Sequence, residues 1–178
     1  MDFDNMPQGL SAFFAIVGRP NVGKSSLLNR LIGQKIAIVS KKPQTTRTRI
    51  MGVLTDEECQ LVFLDTPGLL KPRNSLGDYM VKSVVSAVEG VDACLLVAEA
   101  GTGISKADEE LIGRFRAGHI PAILAINKID LLPDKTKLME QIAAFSALYD
   151  FRAVVPVSAK TGSGMKALLG ELKELAEP

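Results

Sequence analysis

Gly18-Arg19-Pro20-Asn21-Val22-Gly23-Lys24-Ser25 is the stretch on which the reading of this chain turns. It follows directly on the apolar run 13–17 and leads into 24–32, where apolar residues recur at helical spacing. The spacing is that of a complete G-x-x-x-x-G-K-[ST] loop between a strand and a helix. Glycine at both ends lets the backbone wrap closely around an anion with several N–H groups turned inward. The helix that starts near Gly23 directs its positive end at the same point. Lys24 is expected to reach the β- and γ-phosphates of a nucleotide and the Ser25 hydroxyl to ligate Mg²⁺, with Ser26 beside it in the first turn. Gly18, Arg19, Pro20, Asn21, Val22, Gly23, Lys24, Ser25 and Ser26 are therefore the phosphate-side candidates. Kinases, ATPases and GTPases all use such a loop, so it selects neither a base nor a reaction.

Outward from the loop, apolar runs at 13–17, 50–55, 61–64, 93–98, 122–126 and 153–157 are short and bounded by turn residues. They read as six strands, several continuously apolar, as strands covered by helices on both faces are. Helical spacing appears at 24–32, 78–89, 107–117, 137–149 and 165–175. The alternation predicts an α/β fold with a six-stranded, mostly parallel sheet and helices on both faces. Only Asp56-Glu57-Glu58 separates the second and third runs, too little for a crossover helix, so these two should form an antiparallel hairpin. Residues 34–48 and 66–77 belong to neither class and are longer than ordinary connections, as functional loops often are. Residues 1–11 are expected to fray, leaving 12–178 as one domain with no second domain in this chain.

Three strand ends carry further chemistry. The third run ends in Asp65-Thr66-Pro67-Gly68: the carboxylate is placed to hold Mg²⁺ through a water, and Gly68 lets its backbone N–H approach a γ-phosphate. The fifth ends in Asn127-Lys128-Ile129-Asp130. The Asp130 carboxylate accepts from guanine N1–H and the exocyclic amine together, whereas adenine would set acceptor against acceptor. Asn127 should contact the base edge and tie the phosphate loop to this segment, with the Lys128 stem over the ring face. The sixth ends in Ser158-Ala159-Lys160, where short side chains would let the Ala159 N–H reach guanine O6.

Composition places few limits on this reading. The 178 residues suit one domain, with 47% hydrophobic and 23% charged residues. A formal net charge of +1 gives no general pull toward nucleic acid or membrane. Cys59 and Cys94 have no metal-ligand spacing and sit in strand-like runs, where buried small hydrophobes are expected. The apolar run 10–17 is too short to span a bilayer, and Asp2 and Asp4 precede it where a signal peptide is basic. His119 reads as a surface turn residue. Lys41, Lys42, Arg47 and Arg49, with Lys71 and Arg73, read as a solvated basic surface on the two long loops.

In this order the motifs resemble the translation-factor-related GTPases, and among them the bacterial Era group. The resemblance runs from about Ser11 to Pro178, through GRPNVGKSSLLNRLIGQKIAIVS, KKPQTTRTRIMGV, DTPGLLKPRNSLGDYM, NKID and VSAKTG. Gln44-Thr45-Thr46-Arg47 and the KPRNSLGDYM tail are its specific parts; sister families tend to carry a GTTRD-like element instead. The resemblance implies a Ras-like P-loop GTPase fold binding GTP or GDP with Mg²⁺ and hydrolysing GTP. Its metal set is Ser25, Thr46 and Asp65, with Thr45 the alternative switch threonine. Loss of γ-phosphate would release Thr46 and Gly68 and loosen both long loops.

The residue after Gly68 is Leu69, where Ras-like enzymes carry the glutamine that orients the attacking water. Related families with a hydrophobic residue there often use K⁺, held partly by the loop asparagine, here Asn21. The catalytic contributors so implied are Asn21, Lys24, Thr46 and Gly68. Era-like proteins also carry an RNA-binding KH domain that recognises 16S ribosomal RNA and serves small-subunit assembly. No such domain follows within this sequence, so the chain is expected to be an excised GTPase domain. The resemblance further implies a cytoplasmic monomer with peripheral association at the inner membrane. The competing readings are a nucleotide-gated docking module with negligible hydrolysis and the GTPase domain of a tRNA-modifying or tandem-GTPase relative.

Overall fold

The second and third runs do pair antiparallel. Strand β2 (Arg49–Thr55) pairs antiparallel with β3 (Cys59–Asp65), with a register shift between Ile50 and Gly52. The structure is a computed structural model and describes residues 10–33, 49–55, 59–65 and 91–176. The expected helix at 78–89 and both long loops lie outside the described residues.

All other strand pairs are parallel. Strand β1 (Leu10–Val17) lies between β3 and β4 (Ala93–Glu99), followed by β5 (Ala122–Asn127) and β6 (Ala153–Pro156). The sheet order is β2-β3-β1-β4-β5-β6. From β1 the chain runs to the edge strand β2, returns through β3 beside β1, then builds outward on the other side through β4, β5 and β6. Its topological switch point is therefore at β1, where open α/β sheets place their ligands. Strand β1 starts at Leu10, inside the stretch expected to fray, because Leu10 and Ser11 continue the parallel register opposite Cys59 and Gln60.

Four α-helices are described: α1 (Lys24–Ile32), α2 (Lys106–Gly118), α3 (Lys135–Leu148) and α4 (Met165–Glu174). Alternation along β1 sends Ala12, Phe14 and Ile16 to one face and Ala15 and Val17 to the other. The first face packs on Leu27, Leu28 and Leu31 of α1 and Leu168 and Leu172 of α4, with Phe14 stacked on Phe63 at 5.7 Å between ring centroids. The second packs on Leu111, Ile112 and Phe115 of α2 and Phe145 of α3. Buried on both sides, β4 and β5 read as continuous apolar runs for this reason.

Both cysteines are buried and neither is in a disulfide, and burial pushes the Cys94 thiol up to about 12. His119 is exposed and caps α2 in a left-handed conformation at φ 51°. Among the described residues no helix is long and apolar enough to cross a membrane.

Candidate nucleotide site

Parallel pairing puts the carboxyl ends of β1, β3, β4, β5 and β6 on one rim, and the sequence-predicted site residues that are described stand along it. After Val17 the chain leaves β1 through Gly18, at φ 151°, where a Cβ would meet the Val97 carbonyl oxygen at 2.5 Å. Asn21 and Gly23 are both left-handed, at φ 67° and 94°. Gly23 is the N-cap of α1, and a side chain there would collide with the Asn127 amide. Two glycines thus let the loop pack against Val97 and Asn127 where a Cβ would collide, and the loop leads into the positive end of a helix. That is the shape and electrostatics a phosphate chain requires.

Within this loop Lys24 Nζ donates to the Gly18 carbonyl at 2.8 Å. Ser25 and Ser26 stand in the first turn of α1, and Pro20 and Asn21 are exposed at the outer bend. Val22 is buried and anchors the loop to the core. Arg19 reaches sideways, donating from Nη2 to Thr102 Oγ1 at 2.9 Å, while its Nε is buried with no hydrogen-bond partner among the described residues.

The second half of the site comes from the ends of β5 and β6. Asn127, 2% exposed, donates from Nδ2 to the Val22 carbonyl at 2.9 Å and accepts from the Ala159 N–H at 3.0 Å. One side chain therefore joins the phosphate loop to both loops expected to meet the base. The Ala159 N–H, expected to reach guanine O6, here donates to Asn127 instead. Lys128 is left-handed at φ 67°, and its Nζ donates to the Asn21 carbonyl at 2.7 Å and pairs with Glu99 Oε1 at 3.1 Å. Its head is tied to the phosphate loop, which stretches its stem along one wall.

Asp130 is exposed at the opposite wall, in a 3-10 turn over Ile129–Leu131. Its Oδ1 accepts from Ser158 Oγ at 2.7 Å, and Ser158, fully buried, accepts in turn from the Thr161 N–H at 3.1 Å. Ser158 thus acts through its hydroxyl, beyond the small size expected of it: it sets the angle of the carboxylate. The walls enclose a cleft of about 510 Å³ lined by Gly23, Ser26, Asn127, Lys128, Asp130, Leu131, Ala159 and Lys160. Lys128, Asp130, Ala159 and Lys160 thus border one cleft.

The metal side is described only in part. Asp65 ends β3 opposite Ile16, close to the phosphate loop, but its side chain and Thr46, Thr66, Pro67, Gly68 and Leu69 lie outside the described residues. Among the described residues no cluster of three or more His, Cys, Asp or Glu could hold a metal ion. The donors at hand suit Mg²⁺ all the same, because that ion takes few protein ligands and completes its shell with water and phosphate oxygens.

Sequence reasoning missed Glu99, Thr102, Leu131 and Gln141. Glu99 ends β4 as Asp65 ends β3, so the strand-end rule that found the other residues would have found it too.

The chain matches the family model described as 50S ribosome-binding GTPase over residues 13–128. It is 46% identical over 165 residues to the GTPase Era of Geotalea daltonii, covering 93% of this chain and 55% of that protein. It superposes on Era in complex with MgGDPNP and nucleotides 1506–1542 of 16S ribosomal RNA at a TM-score of 0.79 and 35% identity, covering 96% of this chain and 58% of that one. A point variant of Aquifex aeolicus Era bound to GDP·AlF4⁻ gives 0.78 and 36%, over 95% of this chain and 58% of its own length. The chain thus spans little more than half the length of these relatives.

Proposed function

Since the chain belongs to the 50S ribosome-binding GTPase family, we propose that it is a GTP-binding and GTP-hydrolysing switch of the Era type that serves small ribosomal subunit maturation. The observation that carries the nucleotide reading is the Asn127 bridge, which holds the phosphate cradle and the Asp130 loop as one preassembled cleft. Loop N–H groups, the α1 N-terminus and Lys24 bind the phosphates. Asp130 selects guanine because its two acceptor oxygens match two adjacent donors on that base. Ser25 and Thr46, with Asp65 through water, would hold Mg²⁺, which would supply charge neutralisation at the β- and γ-phosphates.

Thr46 and Gly68 read the γ-phosphate, and its departure removes their reason to stay in place. Leu69 has no polar atom to orient water, so the residues that lower the barrier act by charge. Lys24 supplies one positive group, and Asn21 would help hold K⁺, which would supply a second. Turnover that is equal in Na⁺ and K⁺, or a K⁺ response that survives Asn21→Ala, would remove the K⁺ claim. Leu69 is also what favours the second reading, a docking module that binds GTP and does not cleave it.

Single-turnover hydrolysis of GTP in K⁺ and Mg²⁺ separates the two, phosphate release supporting the switch and none over hours supporting docking. The base assignment is tested by Asp130→Asn, which should move preference from guanosine to xanthosine nucleotides. An unchanged preference would refute it. The ribosomal role comes from the relative bound to 16S ribosomal RNA. Depleting the protein in its host should lower the yield of small subunits on sucrose gradients, and normal particle profiles would exclude the role. The implied cytoplasmic monomer, peripheral at the inner membrane, is checked by fractionation and sedimentation of the native protein.

A further inference from the structure

Gln141 lies on the buried side of α3, one turn before Phe145, and is 8% exposed. A buried primary amide is costly unless its donors and acceptor are matched. The matches made by Gln141 fall on one short segment, the loop from β4 to α2, forty residues away in sequence. Its Oε1 accepts from the Gly101 N–H at 3.0 Å, and its Nε2 donates to the carbonyls of Glu99 and Thr102, both at 2.9 Å. Gly101 is left-handed at φ 86°, so the loop turns sharply there and wraps the amide.

That loop has three links to the nucleotide cleft. Thr102 Oγ1 donates to the Glu99 carbonyl and accepts from Arg19 of the phosphate loop, each at 2.9 Å. The Glu99 carboxylate holds Lys128 Nζ at 3.1 Å. The Ala100 N–H donates to the Asn127 carbonyl at 2.7 Å. Arg19 belongs to the phosphate half and Lys128 to the base half. Both are connected to α3 through a loop whose position one side chain sets.

We propose that Gln141 is a positioning residue for the nucleotide site: it fixes the Glu99–Thr102 loop and thereby holds Arg19 and Lys128 in place to slow nucleotide release. The proposal rests on the guanine-nucleotide reading above. Gln141 is not among the residues that line the cleft, so its effect is on dwell time. A loosened loop frees both walls of the cleft together, so bound nucleotide escapes faster.

The test uses the intact 178-residue chain, with Gln141→Met keeping the volume and removing the hydrogen bonds, and Phe145→Leu as a packing control on the same helix. Release of N-methylanthraniloyl-GDP from Gln141→Met should be about tenfold faster than from wild type, the loss expected when buried polar groups go unpaired. Phe145→Leu should lower the melting temperature at least as much while leaving release within about twofold, since cavity costs act on folding. Thr102→Val should also speed release, and adding it to Gln141→Met should give less than the product of the two effects, as groups in one network do. In nucleotide-free protein, amide exchange should rise at Gly101 and Lys128 in Gln141→Met only.

Release from Gln141→Met within about twofold of wild type would overturn the proposal, as would a multiplicative Thr102→Val combination. Failure of the wild type to retain the GDP analogue would instead overturn the guanine reading. Amide exchange at Gly101 and Lys128 then decides the positioning claim without any nucleotide, unchanged exchange refuting it.

Discussion

Replacing Asn127 with aspartate changes one atom group and should make stability depend on pH in a way the wild type does not. The amide donates to the Val22 carbonyl and accepts from the Ala159 N–H, in a position 2% exposed. An aspartate keeps the acceptor for Ala159 but turns a carboxylate oxygen toward the Val22 carbonyl. Two acceptors then face each other away from water, and the carboxyl relieves this by keeping a proton to donate. Its folded pKa is thereby raised above the unfolded value of about 3.9. A raised folded value gives stability that is present below the unfolded pKa and lost as pH rises toward the folded one. The gap between wild type and variant should therefore widen by about 1.4 kcal/mol per pH unit above pH 4, reaching about 4 kcal/mol if the proton is kept to pH 7. If the carboxylate ionises earlier, the gap levels off near the cost of an unpaired buried acceptor, about 1–3 kcal/mol. Urea unfolding of nucleotide-free wild type and Asn127→Asp at pH 5 and pH 7 measures the difference directly. A gap that stays the same at the two pH values would show that the Asn127–Val22 contact is not the buried link described here.

Gly23→Ala forces a Cβ into the Asn127 amide at φ 94°, so it should cost about 1–2 kcal/mol in backbone strain and weaken GDP binding by more than about tenfold. Calorimetry showing wild-type affinity would refute this use of the glycine. Ser158→Ala removes the donor to Asp130, and GDP affinity should fall about tenfold, with a dissociation constant within about twofold of wild type counting against it. Cys94 has its folded pKa raised from 9.0 to about 12, so its contribution is intact below pH 9 and lost as pH rises toward 12. Relative to Cys94→Ala, the wild type should lose about 1.4 kcal/mol by pH 10, and its thiol should resist alkylation until the protein unfolds. Parallel pH profiles for the two proteins would contradict the assignment.

The parts of the fold read correctly from sequence are those in which a local pattern has one structural solution. Three acidic residues at 56–58 are too few for a crossover between β2 and β3, and the G-x-x-x-x-G-K-S spacing from Gly18 falls between strand β1 and helix α1 as expected. Element ends were less legible. Helix α2 begins at Lys106 because Ser105 and Asp108 form a reciprocal cap, and α3 at Lys135 because Asp134 caps the Thr136 N–H, both ahead of the first periodic apolar residues. Gln141 was invisible for a different reason. A glutamine on a helix reads as a solvated position, and its partners lie some forty residues upstream, where no periodicity points to them.

The same connectivity assigns different tasks to the two halves of the cleft. Asn127 and Lys128 bond the phosphate loop and Ser158 bonds Asp130, a set of contacts that needs no third phosphate to assemble. A ligand shifts a conformational equilibrium only by its differential affinity for the two states. GTP and GDP present the same base and the same first two phosphates, so on the proposed reading this half sets which nucleotide binds and for how long, and cannot tell the two apart. Discrimination would then fall to Thr46 and Gly68, which in sequence follow α1 and β3. Substitution of Asn127 or Asp130 should therefore weaken GTP and GDP by the same factor. Thr46→Ala should weaken the triphosphate by about tenfold and leave the diphosphate within about twofold, the loss of one charge-assisted contact. Measured with GDP and a non-hydrolysable GTP analogue, an Asp130→Asn variant that lost one nucleotide far more than the other would mean the base half takes part in the switch. Each half would then have to be treated as conformationally coupled through the phosphate loop, which Asn127 bonds at the Val22 carbonyl.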